Sequence, residues 1–394
     1  MGTVNKQQVP ILYTIGLVSF ILFFMEIELA WSYPKSVFKY IAILSLTFHV
    51  FLSLNKYNSR QLILLALLAL LVVYVGFNAQ QITLLCLSFA LIVGAKDIEF
   101  KQILKIHFYT GLFLCLISVI GSSIGLIENK ANDIGIDSME MLGSSTSRRY
   151  SYGYVWPTDC ANHISFVCIA FFLIREGVLK IRELFFLSLV FLFVFLGVKA
   201  RQSASIVLLI LLLSLYLRYL RKKQKNPYRF ILFLFIFSIP LLAAISIYAT
   251  LAYDETDMAW VVANIVLTGR LRLGQDAIEE YGIPWFGQYI KMIGADANKL
   301  EYNYVDSSYL QAYLLWGIVL ATILIGQLFI VCKRAYSRKD SAMLFAVFLA
   351  GLSSVTSQFL FQIMFSPFLL ALLSNHQNTS IDYVKKRTTE TESP

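Results

Sequence analysis

Runs of about 20 apolar residues, the length a helix needs to cross a bilayer, recur in this chain from residue 11 to residue 373 with only short polar joins between them. No other feature constrains the fold as strongly. The chain is 58% apolar and 14% charged, against about a quarter charged in ordinary soluble domains. Phe and Leu/Ile runs are spread over the whole length and are not gathered into one core stripe, which rules out a soluble globule. The expected fold class is an all-α polytopic membrane protein.

Twelve spans are expected, near 11–30, 37–54, 61–77, 80–95, 103–127, 153–174, 183–198, 203–220, 230–252, 307–331, 342–356 and 359–373. Only Thr356, Ser357 and Gln358 separate the last two, so one long kinked helix over 342–373 is the alternative. The first run is too long for a signal-peptide core and is followed by Glu26, Glu28 and Trp31 instead of a small-residue cleavage site, so it is expected to remain as a span. Residues 1–374 read as a single integral membrane domain. Residues 375–394, a hydrophilic end rich in Thr and Glu, read as a disordered cytoplasmic tail.

Lys and Arg are retained on the cytoplasmic side, and every second join is basic: Lys56/Arg60, Lys96/Lys101/Lys105, Arg175/Lys180/Arg182, the 218–229 join, Lys333/Arg334/Arg338/Lys339 and Lys385/Lys386/Arg387. With Lys6 these hold 22 of the 33 basic residues. Both termini are therefore expected inside, with two long loops, 128–152 and 253–306, and some short interfacial helices outside. The net charge of +9 is on this reading a topology signal, with no aromatic-interleaved basic stripe to suggest nucleic acid. The five cysteines and four histidines form no CxxC or Cys/His cluster, and no GxxxxGK or GxGxxG loop is present. A zinc site and ATP hydrolysis are not expected.

On an outer side that is otherwise net negative, Arg148, Arg149, Arg201, Arg270 and Arg272 stand out. Any one of them can be an interfacial arginine that snorkels or pairs with a neighbouring carboxylate. Their grouping points further. The stretch from Arg270 to Tyr281 reads as an amphipathic interfacial helix ended by Gly282 and Pro284. Its arginines lie in the first turn and Glu279 and Glu280 in the last, the reverse of what the helix dipole favours. An external anion would account for that placement; an Arg272–Asp276 pair would account for Arg272 alone.

Pro157 fits the first position of a helix whose start, near Arg149 and Ser151, would suit a phosphate or be only an aromatic belt. Within it Asp159 and His163 share a face as a candidate base and its orienter, with a core histidine as the bland reading. Asp306 reads as an N-cap of the next span or as a base. Lys199 and Arg201 occupy a very short outer turn, costly near membrane depth without an anionic partner. Glu26 and Glu28 are candidates for that partner.

Three stretches now carry a resemblance. Arg149-Tyr150-Ser151-Tyr152-Gly153-Tyr154-Val155-Trp156-Pro157, Arg201 in its short turn, and Thr268-Gly269-Arg270 through Phe286-Gly287-Gln288 with Val305-Asp306-Ser307-Ser308-Tyr309 resemble the Wzy-type polysaccharide repeat-unit polymerases, relatives of the O-antigen ligases. Trp156 and Thr158 stand where that family has His and Asn, and Lys199-Ala200 replaces hydroxyl residues. The resemblance implies a metal-independent and cofactor-independent glycosyltransferase in the bacterial cytoplasmic membrane, its site facing outward. Such an enzyme moves a growing glycan from undecaprenyl diphosphate onto a new lipid-linked repeat unit, building a capsule, O-antigen or other exopolysaccharide. Implied partners are the lipid-linked donor and acceptor and membrane lipids, with a chain-length regulator and a flippase as candidates, and no nucleic acid.

Arg149, Arg201 and Arg270 are the expected catalytic cations, with His163, Asp159 or Asp306 taking the acceptor proton. Arg148, Arg272, Lys199, Ser151 and Tyr309 are the expected substrate contacts. Two alternatives stay open: an O-antigen-ligase-like transferase sharing this donor chemistry, and a lipid-linked oligosaccharide flippase or transporter. Against the latter, the span centres lack Asp, Glu, Lys and Arg.

Overall fold

A computed structural model describes residues 9–25, 34–133, 148–294 and 303–376. Helices α1 (Ile11–Phe24), α2 (Lys35–Ser53), α3 (Ser59–Asn78), α4 (Ile82–Gly94) and α5 (Phe100–Ser123) come first. A short antiparallel ribbon follows, β1 (Ala131–Asp133) with β2 (Arg148–Tyr150), placing Asn132 opposite Arg149. Next are α6 (Pro157–Ile174), α7 (Ile181–Leu192) with a π turn at Phe193–Gly197, α8 (Arg201–Lys222), α9 (Arg229–Ile236) and α10 (Ser238–Leu251). The chain continues through α11 (Met258–Val266), α12 (Arg270–Tyr281), α13 (Ser308–Gln311), α14 (Gly317–Ser337) and α15 (Ser341–Ser353), and ends in a 3-10 stretch, Pro367–Leu372.

Six helices are long and apolar enough to cross a membrane, seven if the α9–α10 pair, bent by 53°, counts as one span. The surface is inverted relative to a soluble protein. Leu44, Phe48, Leu67, Leu70, Phe77, Phe185 and Phe186 are exposed, while Ser118, Asn162, His163, Ser165, Ser203 and Ser214 are buried. Polar groups turned inward and a broad apolar outside belong to an all-α membrane protein. Helix α6 is the most deeply buried of the spans, and Ser203 Oγ of α8 donates to its Asn162 Oδ1 at 3.0 Å.

Each of the first eleven expected spans coincides with a helical element. The twelfth does not, nor do residues 342–373 form one kinked helix: α15 stops at Ser353, and the chain runs through buried turns until Pro367. Competing partners explain the break. The Ser308 N–H donates to both Ser354 O and Ser357 O at 3.0 Å, Ser308 Oγ donates to Ser357 O at 2.6 Å and accepts from Leu360 N at 3.0 Å, and His107 Nε2 donates to Ile363 O at 2.9 Å. Carbonyls that a continuing helix would use internally are thus spent on α5 and α13.

A second break lies at Gly317, whose φ of +79° no side-chain-bearing residue adopts cheaply. A π turn, Ala312–Trp316, precedes it, and the amides freed at the break are taken by a loop. Ile318 N donates to Pro284 O at 2.9 Å, Val319 N to Trp285 O at 3.2 Å, and Gln288 N to Leu315 O at 3.0 Å. Gly287 and Gly317 meet so closely that a Cβ on Gly317 would fall 2.5 Å from Gly287 N. The 282–288 segment is therefore a clamp on the base of α14.

Two of the basic joins meet where Lys101 pairs with Glu176 at 2.6 Å, and Arg175 pairs with Glu183 within the second. The expected tail boundary shifts slightly here, because Asn375 is fastened between Ile98 O (2.7 Å) and Phe100 N (2.8 Å) and His376 donates to Ala371 O at 2.9 Å. The rest of that tail, like Glu26, Glu28 and Trp31, lies outside the described residues.

Candidate functional site

Helix α12 begins where the sequence pattern places it. Thr268 and Gly269 both have positive φ (+56° and +82°), which turns the chain sharply out of α11. The helix start carries no cap of its own. Asn264 of α11 supplies one: its Oδ1 accepts from Leu271 N at 3.1 Å and Arg272 N at 3.3 Å, and its backbone O accepts from Gly269 N at 2.8 Å. Asn264 Nδ2 is anchored on Tyr253 OH at 3.4 Å. The helix amides are consequently occupied, and the anion-seeking group at this turn is the Arg270 side chain.

Arg270 Nη2 pairs with Asp306 Oδ2 at 2.8 Å, with side-chain exposures of 21% and 27%. Its Nη1 donates to Leu267 O at 3.2 Å and to Thr268 Oγ1, while Nε is buried with no partner among the described residues. Arg149 reaches the same place from β2. It too buries an unpaired Nε, and its pKa is pushed down first by burial and then by the charges of Arg201 and Arg270. Arg201, at the first position of α8 and exposed, completes the group. Its neighbour Gln202 ties the helix start to Ser353 O.

Arg149 thus lies in the field of Arg201 and Arg270, three guanidiniums from three distant segments, and one of them, Arg270, is paired with a carboxylate. Two like charges ~4 Å apart cost about 1 kcal/mol in water and about 4 at an effective dielectric near 20. A polyanion reverses the sign of that term. Asp306 has its carboxyl pKa raised by burial, with the Arg270 charge opposing the rise, so a proton-accepting group sits beside the cations.

Several other expected residues are placed differently. Asp306 is no N-cap: Ser307 occupies that position of α13, and the carboxylate turns to Arg270. His163 is 1% exposed, with Nδ1 bonded to Tyr154 OH at 2.5 Å and its ring against Phe365. The partner is Tyr154 and not Asp159, because positive φ at Tyr152 and Gly153 (+49° and +85°) folds Tyr154 back into the core. Ser151 is buried, its Oγ accepting from Lys130 N at 3.1 Å; it holds the ribbon instead of facing a ligand. Tyr309 is fully buried and donates to Gly351 O at 3.1 Å, which makes it a core residue.

Arg272 is exposed and forms no ion pair with Asp276. Lys199, with φ of +59°, makes the tight turn before Arg201 and is half-buried with a polar partner. Asp159, in the first turn of α6, is likewise partnered. The Arg148 backbone pairs with Asp133, and its side chain lies outside the described residues. Among the described residues, no group of three His, Cys, Asp or Glu side chains could hold a metal. Asn264 escaped the sequence reading because a cap six residues upstream of the helix start leaves no local signature. No family model, no curated protein and no solved structure matches the chain.

Asn264 should act as the residue that positions Arg270. Loss of a capping side chain commonly costs about 1 kcal/mol, so Asn264→Leu is expected to lower the thermal midpoint of the purified protein, while Asn264→Asp, which keeps the accepting oxygen, should restore most of it. Equal midpoints for Asn264→Leu and the parent would show that the cap does no work.

Proposed function

We propose that the chain polymerises undecaprenyl-diphosphate-linked oligosaccharide repeat units into a surface polysaccharide, as a Wzy-type, metal-independent glycosyltransferase of the bacterial cytoplasmic membrane. The observation that carries the reading is the mutual nearness of Arg149, Arg201 and Arg270, the last of which is paired with Asp306. A lipid diphosphate is a leaving group whose charge grows as its bond to sugar breaks, and planar, permanently charged guanidiniums stabilise that charge through paired N–H contacts. The unpaired Nε atoms of Arg149 and Arg270 are donors of this kind.

In the reaction so read, an acceptor hydroxyl attacks the anomeric carbon of the donor glycan. The new glycosidic C–O bond forms as the bond to the diphosphate breaks, undecaprenyl diphosphate departs with the electron pair, and Asp306 takes the hydroxyl proton. Asp306 suits this role better than His163, which is closed into the core and bonded to Tyr154. The resting Arg270–Asp306 pair adds a sequence of events. A diphosphate oxygen competes with Asp306 for the guanidinium, and its arrival frees the carboxylate beside an anion, which raises proton affinity. In the proposed topology the chain spans the membrane twelve times, the last time by the broken 354–373 segment; both termini and the 218–229 join are cytoplasmic, and the arginine end faces outward.

Topology is checked with single introduced cysteines and an impermeant thiol reagent on intact cells. Residue 268 should label and residue 222 should not; the opposite pattern sinks the orientation.

Arg270→Lys should fail nearly as badly as Arg270→Ala, since an ammonium cannot reproduce the two-pronged contact. Losing such a contact commonly costs about 2–4 kcal/mol, roughly a hundredfold in rate or more, and Arg272→Ala should be milder. The measurement is the ladder of products from lipid-linked repeat units per unit of inserted protein, with EDTA present throughout. Near-normal ladders from Arg149→Ala, Arg201→Ala and Arg270→Ala would falsify the arginine mechanism, while a single addition without a ladder would favour a ligase.

The pH profile tests Asp306. Burial holds its pKa above the ordinary aspartate value, and the base works ionised, so the rate should fall as pH is lowered through that raised value and recover above it. Asp306→Asn should abolish this acid limb along with most of the rate. An unchanged acid limb in Asp306→Asn assigns the base to another group.

A further inference from the structure

A cleft of about 570 Å³, part of it open to the exterior, lies between α3, α4 and α14 and falls in the size range of small-molecule sites. Leu68 and Val72 line it from α3, Leu85 and Phe89 from α4, and Ile323 and Gln327 from α14. Helix α3 is the least buried of the six long spans, so this wall of the cleft is peripheral. The reaction proposed above makes no use of the space.

The α14 side of the cleft belongs to one stripe. Leu320, Ile323, Leu324 and Gln327 line it with the spacing of a single helix face, and the same spacing continues to Arg334 and to Arg338 at the helix end. Val331 is buried between the two sets, while Ile330 beside it is 40% exposed, so the stripe passes from cleft to arginines along its Ile330 edge. At about 1.5 Å of rise per residue, Gln327 lies about 10 Å and Ile323 about 16 Å from the Arg334 level. Half of a bilayer's hydrocarbon core is about 15 Å.

The two arginines are paired less fully than their setting demands. Spaced four apart, they repel, and among the described residues neither joins a salt bridge. Arg334 is exposed and donates to Leu372 O. Arg338 is half-buried, and its Nη2 has no partner among the described residues. Asp340 lies in the field of Arg338 without pairing to it; its Oδ1 accepts from Met343 N at 2.9 Å as the cap of α15. His376 sits near both arginines and adds no charge, its pKa lowered to about 4 mainly by burial and further by Arg338 and Arg334. The helix dipole favours cations in a last turn but accounts for neither the repulsion nor the unpaired donor. A bound phosphate would meet both.

We infer that this stripe is the site of an anionic phospholipid, its phosphate held by Arg334 and Arg338 and one acyl chain laid past Ile330 into the cleft between α3, α4 and α14. Basic pockets at the cytoplasmic ends of spans take such headgroups, and here an apolar cleft lies within a chain's reach on the same helix face. The proposed topology puts the site in the cytoplasmic leaflet, and it does not depend on the transferase reading.

The test uses the delipidated full chain in detergent, with native mass spectrometry reading the bound copies. The probes are dioleoyl phosphatidylglycerol, dioleoyl phosphatidylcholine and inorganic phosphate. One copy of phosphatidylglycerol should bind roughly tenfold more tightly than phosphatidylcholine, the scale of a single charge-assisted hydrogen bond, and excess inorganic phosphate should not displace it. Arg334→Gln combined with Arg338→Gln should erase that preference, while Lys333→Gln, exposed at the same helix end but off the stripe, should stay within about twofold of the parent. Ile323→Trp and Leu68→Trp, which fill the cleft from opposite walls, should each weaken phosphatidylglycerol roughly tenfold, the equivalent of about two methylenes left unburied.

Equal binding of the two lipids by the parent, or an equal loss in Lys333→Gln, would reduce the attraction to general charge and overturn the site. Displacement by inorganic phosphate would leave an ion site with no lipid in it, which overturns the inference too. Parent-like binding of phosphatidylglycerol by both tryptophan variants would remove the acyl cleft. If a tryptophan variant misfolds, the arginine and lysine variants decide alone, since they replace charges at the helix end and leave the packed core intact.

Discussion

Every backbone N–H and C=O in a protein with an apolar exterior has to find its partner inside the chain, since hydrocarbon offers none. Helices meet that demand locally. The informative places are where the helices stop. At Gly317 the amides freed by the break go to the carbonyls of Pro284 and Trp285, and the close approach this needs is possible because Gly287 and Gly317 carry no Cβ. At Ser353 the carbonyls of the following turn go to Ser308 and His107. Both repairs involve the chain around Ser308 or the span it begins, so Asp306, two residues earlier, is held by a doubly braced backbone.

Charge follows the same logic at the surface. A lone arginine at an interface can snorkel to water, but Arg149 and Arg270 bury part of their guanidiniums without pairing them fully, and they lie in each other's field. An arrangement of this kind costs stability in the free protein. Burial lowers the Arg149 pKa and raises that of Asp306, each a shift toward the neutral form. Among the described residues, the ion pair of Arg270 with Asp306 offsets part of the repulsion at this cluster and leaves an excess of positive charge.

Much of this was legible in residue order. Apolar run length placed the helices to within a few residues for α2, α3, α5 and α8, because helix length in lipid is a one-dimensional property. Charge sign and the reversed dipole placement in α12 single out Arg149, Arg201 and Arg270 in the sequence, while their nearness to one another is a tertiary property. Contacts set by tertiary structure were not legible. Asp306 looked like an N-cap because residue type and position matched one, and only the approach of α12 turns it toward Arg270. Ser151 and Tyr309 stood in the right stretches but face inward, which period and motif alone do not reveal. The break at Ser353 was hidden for a related reason: the 342–373 run is apolar enough to span, and what stops the helix is hydrogen bonding from residues some 45 and 250 positions earlier.

The pair between Arg270 and Asp306 also bears on how the proposed base and the proposed anion site could work as touching residues. Burial raises the Asp306 pKa and the Arg270 charge opposes that rise, while the salt bridge engages a carboxylate oxygen. In the proposed reaction, competition for the guanidinium by a lipid diphosphate would remove the partner and supply an anion nearby, and both changes increase a carboxylate's affinity for a proton. On that reading basicity would be greatest with donor bound, and the single Arg270–Asp306 salt bridge would tie proton abstraction to the presence of the leaving group.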